Sequence, residues 1–421
     1  MPLISFLALT WILVVDFATK LRAGGPSVSA FLTVGTAIAF LALIPTVLFR
    51  YVVDGYGSWR QSERPVGVPL FLVVFAGLAL FRLPGNPTID GIQNASVYVG
   101  FVLGIILTAD AASHADSWLW VRGMPSAALT VSLLFFVTFV VLKFPVYGDR
   151  SFALSALVFL AILVPMRQGG IWRIAPYFVV ACIVLSLSRT ASLIGVIALM
   201  FLVVRGPRRH RGLRVLLLGV VAVALVVALW LFYPPFKARF TTGDAAVSVG
   251  GTSLNTSGRS QIWAVVWKSA MESPLFGKGP GSAQLLLNNT FEGIAQPHND
   301  YLRVFHDFGA VGAGLWIIGL VWMLVLLWRR ACLLDRSVDW SALIALLGIL
   351  LASTTDNVVI YPFVMIPAGV VIGLGLAGLA PETTPRRALG TECSDHSGGS
   401  GSPVIALGGG ASAQPEEMRW K

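Results

Sequence analysis

The segment Gln296-Pro297-His298-Asn299-Asp300-Tyr301-Leu302-Arg303 gathers an imidazole, a carboxamide, a carboxylate and a guanidinium within eight residues of a strongly apolar chain. An imidazole accepts or donates a proton near neutral pH, so His298 is the first candidate for acid–base work. The same residue reads equally well as a structural hydrogen-bonding group, and its neighbours alone leave both readings open. Pro297 and Asn299 favour a helix start, which puts Arg303 on a nearby face of the helix that follows. His306, one or two turns further on, reads as structural. Three more arginines carry permanent charge at candidate positions: Arg189 in Ser186-Leu187-Ser188-Arg189-Thr190, Arg239, and Arg259 in Ser257-Gly258-Arg259-Ser260. Arg239 serves as readily for an interfacial anchor as for a site residue.

These residues need elements to hold them. Ile262, Val266 and Ala270 recur at helical spacing, and Trp263 and Trp267 lie one turn apart. This predicts an amphipathic helix that starts near Arg259, is capped by Ser257 or Ser260, and ends before Ser273-Pro274. Its indoles suit a membrane interface. The stretch Thr241 to Gly258 is small and polar and reads as a mobile strap. Gly277-Lys278-Gly279-Pro280-Gly281 looks like a phosphate loop but lacks the upstream glycine of the full pattern, so a tight turn is the better reading.

The background is a bilayer. The chain is 56% hydrophobic and 12% charged, with mean hydropathy +0.80, and no aqueous globule hides that much apolar surface. An all-α integral membrane fold follows, with about twelve spans near 3–19, 29–51, 66–82, 92–109, 126–143, 151–166, 173–188, 190–205, 212–233, 308–328, 341–357 and 359–380. The first stretch contains Asp16 and is followed by many like it, which favours a retained helix over a cleaved signal. Arginine concentrates in alternate loops, as in Arg50, Arg60 and Arg64, Arg205 to Arg214, and Arg329, Arg330 and Arg336. That bias predicts cytoplasmic termini and an outward loop over 234–307. The organisation expected is therefore helices one to nine over 1–233, the loop with the candidate residues over 234–307, helices ten to twelve over 308–380, and a disordered cytoplasmic tail over 381–421.

Other classes fit poorly. The net charge of +10 is explained by the loop arginines, and nucleic acid is not an expected partner. Cys182, Cys332 and Cys393 are scattered without metal-ligand spacing, so neither zinc nor a disulfide is indicated. A transporter would place its charged and helix-breaking residues at mid-membrane depth, whereas here the spans carry little charge beyond Asp16.

His298-Asn299, nine residues, Gly309, two residues and Gly312 resemble the signature of the bacterial O-antigen ligase and O-antigen polymerase superfamily. The segment Ser186 to Thr190 resembles that family's arginine-bearing motif. Arg259 before Trp263, followed by Pro274-Leu275-Phe276-Gly277-Lys278-Gly279, resembles its loop pattern. The resemblance covers about 180–320 and implies a metal-independent glycosyltransferase without cofactor in the bacterial inner membrane. It implies an undecaprenyl-diphosphate-linked glycan as donor, and a growing glycan or lipid A core as acceptor. It also implies catalytic roles for His298, Arg259 and Arg189, and substrate contacts from Arg239, Asn299 and Arg303. Guanidinium suits such a donor because it grips phosphate oxygens in a bidentate way. His298 would then be either the base for the acceptor hydroxyl or a ligand of the diphosphate.

Overall fold

The computed structural model describes residues 68–377, apart from 86, 115–116, 144–147, 167–169, 206–210, 233, 235–236, 238–246, 250–251, 255–257 and 292–295. The stretches expected to span near 3–19 and 29–51, the tail 381–421 and Arg239 lie outside the described residues.

The apolar stretches are helical. In chain order they are α1 (Leu70–Arg82), α2 (Ile89–His114), α3 (Ser117–Phe136), α4 (Asp149–Leu163), α5 (Ala175–Leu185), α6 (Arg189–Arg205) and α7 (Arg211–Phe232). After two short helices come α10 (Asp300–Leu334), α11 (Ser337–Ala352) and α12 (Pro362–Leu376). The short ones are α8 (Arg259–Ala270) and α9 (Ser282–Thr290). Among the described residues three helices are long and apolar enough to cross a membrane, at Ile89–Ala109, Gly123–Val141 and Asp300–Leu334. Five more apolar helices are shorter, among them Ser337–Ala352 and Pro362–Leu376. Composition and helices together make this a membrane protein. The segment read as a strap holds a small antiparallel hairpin, with Val247 opposite Leu254 and Val249 opposite Thr252.

The helices meet through small residues and aromatic rings. A Cβ on Gly369 would lie 2.8 Å from the Phe101 carbonyl oxygen, and one on Gly373 would lie 2.6 Å from that of Ile105. One turn of glycine spacing on α12 thus lets it lie directly on the backbone of α2, as small residues do where helices associate in lipid. Phe75, Tyr98, Phe308 and Trp316 pack edge-on or tilted with centroids 4.9–5.8 Å apart, tying α1, α2 and α10 together.

Helix α10 has 35 residues, about 50 Å at the usual rise, which exceeds a hydrocarbon core of about 30 Å. Its backbone breaks at Gly309 (φ 65°, ψ −167°), nine residues from the start. The first two turns therefore form a separate segment beyond the long apolar run; that segment carries Arg303 and is directly preceded by His298 and Asn299.

Candidate functional site

The start of α10 is built by its own sequence. Asn299 is extended, and its side-chain oxygen accepts the Leu302 N–H at 3.0 Å, an N-cap as the sequence suggested. Asp300 then anchors the helix to the turn after α11. Its N–H donates to the Ser353 carbonyl at 2.9 Å, and its Oδ2 accepts the N–H groups of Val358 and Val359 at 2.6 and 3.1 Å. A buried carboxylate that receives backbone donors is a strut between segments far apart in sequence.

His298 precedes this cap in the left-handed region at φ 55°, a conformation a residue with a Cβ keeps only when its surroundings impose it. They do so from two sides. The His298 N–H donates to Asn357 Oδ1 at 2.9 Å, and the Trp263 indole of α8 donates to the Pro297 carbonyl at 2.7 Å. The imidazole is held as well. Its Nδ1 lies 2.9 Å from Arg150 Nη2 and 2.7 Å from Asn357 Nδ2. Arg150, in the first turn of α4, is itself gripped by Asp356, through its Nε at 3.1 Å and through Nη2. Asn357 is wholly buried, and its Oδ1 also accepts Arg303 Nη2 at 3.0 Å.

Arg303 is wholly buried behind this layer, bonded to Gln296 and Asn357 and paired with Asp300 at 3.8 Å. Arg259, at the N-terminus of α8, is half-buried, and its Nε has no hydrogen-bond partner among the described residues. Burial, then the neighbouring charges of Arg150 and Arg189, pull the Arg259 pKa below its usual value, while Asp356 opposes them. Arg189 opens α6, and the next residue, Thr190, meets Thr355 hydroxyl to hydroxyl at 2.7 Å. Four guanidiniums (Arg150, Arg189, Arg259 and Arg303) thus share one neighbourhood with two carboxylates, Asp300 and Asp356. The balance is positive and suits an anion.

The same environment acts on His298. Burial first, then Arg150, Arg259 and Arg303, lower its pKa to about 3. The ring is therefore neutral at physiological pH. Beside it, a groove of about 530 Å³ is lined by Trp263, Trp267, Asn299, Tyr301, Leu302 and Phe305, with the Trp267 and Phe305 rings stacked 5.5 Å apart.

The glycine-rich stretch is a turn, as its sequence suggested. Gly277, Gly279 and Gly281 have φ of 67°, 98° and 79°. The turn docks on the break in α10: Lys278 and Gly279 N–H groups donate to the His306 and Asp307 carbonyls, and Ala310 and Val311 N–H groups donate to those of Pro274 and Leu275. Asp307 accepts the N–H groups of Gly281 and Ala283 and the Ser282 hydroxyl, each at 2.9 Å, capping α9 from outside. His306 is buried between Ser269 and Ser282, in the structural role expected of it. Among the described residues no three His, Cys, Asp or Glu side chains gather as metal ligands would.

Residues 174–317 match a family model described as O-antigen ligase. That segment belongs to the O-antigen ligase and polymerase superfamily. No curated protein matches the chain. The O-antigen ligase segment includes Arg189, Arg259, His298, Asn299 and Arg303, which the fold brings to one end of the helices. It excludes Arg150 and Asn357, which hold the His298 ring, and Asp356, which grips Arg150; none of the three was singled out in the sequence. Two signals pointed to them: Arg150 falls in a loop on the same predicted side, and Asp356-Asn357 is an isolated polar pair between two apolar stretches.

Proposed function

We propose that this chain is a membrane glycosyltransferase that moves a glycan from undecaprenyl diphosphate to an acceptor hydroxyl at the outer face of the bacterial inner membrane, in surface-polysaccharide synthesis. The observation that carries this reading is the cluster of His298 with Arg150, Arg189 and Arg259 at the end of α10 beyond its apolar run. A lipid diphosphate gains negative charge as the glycosidic bond breaks, and fixed guanidiniums stabilise that charge with little reorganisation. The acceptor oxygen attacks the anomeric carbon from the face opposite the diphosphate, so the configuration inverts. The groove beside Asn299 gives the substrate an apolar wall next to this anion site. Arg239 is proposed as a further contact to the donor, and the large loop and the termini are assigned to the outer and cytoplasmic sides respectively.

Two acceptors suit the reaction. A ligase delivers to lipid A core, and a polymerase delivers to another lipid-linked repeat. Deletion of the gene, with analysis of surface glycan and the lipid-linked pool, separates them. Loss of a ligase leaves long polymer on undecaprenyl diphosphate, whereas loss of a polymerase leaves single repeats. Full complementation by His298→Ala would defeat the enzyme reading. A pool stranded on the cytoplasmic face would identify a transporter instead.

A further inference from the structure

The hydrogen bonds around His298 decide which nitrogen carries its proton. A guanidinium only donates, so Nδ1 must accept from Arg150 Nη2. The orientation of Asn357 agrees: its Oδ1 receives two donors, the His298 N–H and Arg303 Nη2, which leaves Nδ2 to donate to the same Nδ1. The ring proton is therefore on Nε2, and Nε2 has no protein partner among the described residues. The lone pair a general base would use is already taken.

We propose that Arg150 and Asn357 are positioning residues that fix His298 as a neutral Nε2–H donor, so that it bonds the departing diphosphate instead of removing the acceptor's proton. This rests on the transfer reaction proposed above. In that step the acceptor oxygen bonds to the anomeric carbon, and the carbon–oxygen bond to the diphosphate breaks. Its electron pair goes to the phosphate oxygen that Nε2–H and the guanidiniums face, and the hydroxyl proton passes to water. The two described carboxylates of this cluster are poorly placed as an alternative base. Asp356 is gripped by Arg150 and accepts the Asn357 N–H at 2.7 Å, and Asp300 is buried at 1% exposure, out of reach of an acceptor hydroxyl, with two backbone donors on its Oδ2.

The charged and titratable groups around the ring come from every packed element: Arg150 on α4, Arg189 on α6, Arg259 on α8, Asp300 and Arg303 on α10, Asp356 after α11, and Tyr361 before α12. Cations outnumber anions, and a protonated ring would add another. That balance agrees with the lowered pKa.

The direct test is ¹⁵N NMR of the full chain, histidine-labelled, in nanodiscs. The chain has five histidines, and loss of signals in His298→Gln assigns the one that matters. The expected spectrum shows an Nε2–H tautomer that does not titrate between about pH 5 and 8, whereas an ordinary imidazole titrates near 6.5. An Nδ1–H tautomer, or a pKa above about 6, would overturn the proposal.

Transfer assays use lipid-linked glycan extracted from a strain lacking this chain, and read released undecaprenyl diphosphate. The wild-type rate should show no histidine limb between about pH 5 and 7.5, while Arg150→Gln and Asn357→Asp should acquire one as the ring becomes ionisable. The amide nitrogen of Gln reaches the place of Nε2, and that of Asn the place of Nδ1. His298→Gln should therefore keep part of the rate, with His298→Asn and His298→Ala about 10²-fold lower. Asn tolerates the left-handed backbone better than Gln, so strain alone predicts the opposite order. Equal loss in Gln and Ala would count against the donor role. If wild type transfers nothing, the transfer reading falls, and the NMR result still decides the tautomer.

Discussion

Gly309→Ala tests how the site is held in register. The backbone at Gly309 has φ 65° and ψ −167°, a region essentially reserved for glycine, and occupying it with a side chain costs about 1–3 kcal/mol. The added Cβ would lie 2.3 Å from the Leu275 carbonyl carbon and oxygen and 2.5 Å from the Phe276 nitrogen, far inside any carbon contact distance. Only separation of the turn from α10 relieves this, and separation breaks the bonds from Ala310 and Val311 to Pro274 and Leu275, at 2.8 and 3.1 Å. Each such bond contributes about 0.5–1.5 kcal/mol. The total is about 2–6 kcal/mol, enough to undock the turn. Gly314→Ala on the same helix is the control, since its Cβ meets nothing within 4 Å and alanine favours a helix over glycine by about 1 kcal/mol. Purified protein in detergent, heated and then passed over a sizing column, should lose its monodisperse peak well below the wild-type temperature for Gly309→Ala. Gly314→Ala should match or exceed wild type. Equal behaviour of the two variants would refute the docking argument.

Three other outcomes are expected. Asn299→Ala loses a helix cap, worth about 1 kcal/mol, and Asn299→Ser restores most of it; a thermal midpoint that ranks them otherwise would remove the cap role. Trp267→Ala deletes one ring of the stacked pair lining the groove, so KM for the lipid-linked donor should rise with kcat little changed in the proposed reaction. The pH dependence of stability has a definite sign. His298 binds a proton less readily folded, with a pKa of about 3, than unfolded, where it titrates near 6.5. At this position the unfolded chain thus holds more protons below about pH 6.5, and the stability that His298 contributes should fall as pH drops from there towards 3, while Asp300, whose pKa burial raises to about 6, acts in the opposite sense. The difference in denaturant midpoint between wild type and His298→Gln should therefore shrink as pH falls across that window, and a constant difference would remove the effect.

The fold was legible where the physics is local. Apolar runs of helical length gave α1, α2 and α10 to α12, because length and composition alone define them. The cap at Asn299 and the start of α8 at Arg259 followed from nearest neighbours, although the residue before α8 is Gly258 in the left-handed region without a side-chain cap, where Ser257 or Ser260 was expected. The glycines of 277–281 announced a turn whose positive φ angles the structure bears out. Ends were less legible. Helix α11 stops at Ala352, whereas hydropathy carried the expected span on to residue 357. The five residues between form the turn whose Asn357 reaches His298 and whose Asp356 holds Arg150 against it. Hydropathy averages over such a pair, and two polar residues beside long apolar runs hardly move it.

What the sequence could not disclose is pairing over distance. Arg150 meets His298 across 148 positions and Asp356 across 206. No periodicity or spacing encodes such contacts; only the packing of α4 against α11 and α12 creates them. This bears on what the matched O-antigen ligase segment can do by itself. Residues 174–317 contain the imidazole but neither group that directs its proton. Without those two groups the ring loses the donors that select its tautomer and one of the arginines that lower its pKa, while Arg259 and Arg303, inside the segment, remain. With α4 and the turn after α11 in place, the ring becomes a fixed donor inside a positive cluster, and the burial that lowers its pKa is supplied by the surrounding helices. The elements outside the matched segment therefore fix the tautomer of the ring and share with Arg259 and Arg303 in setting its charge.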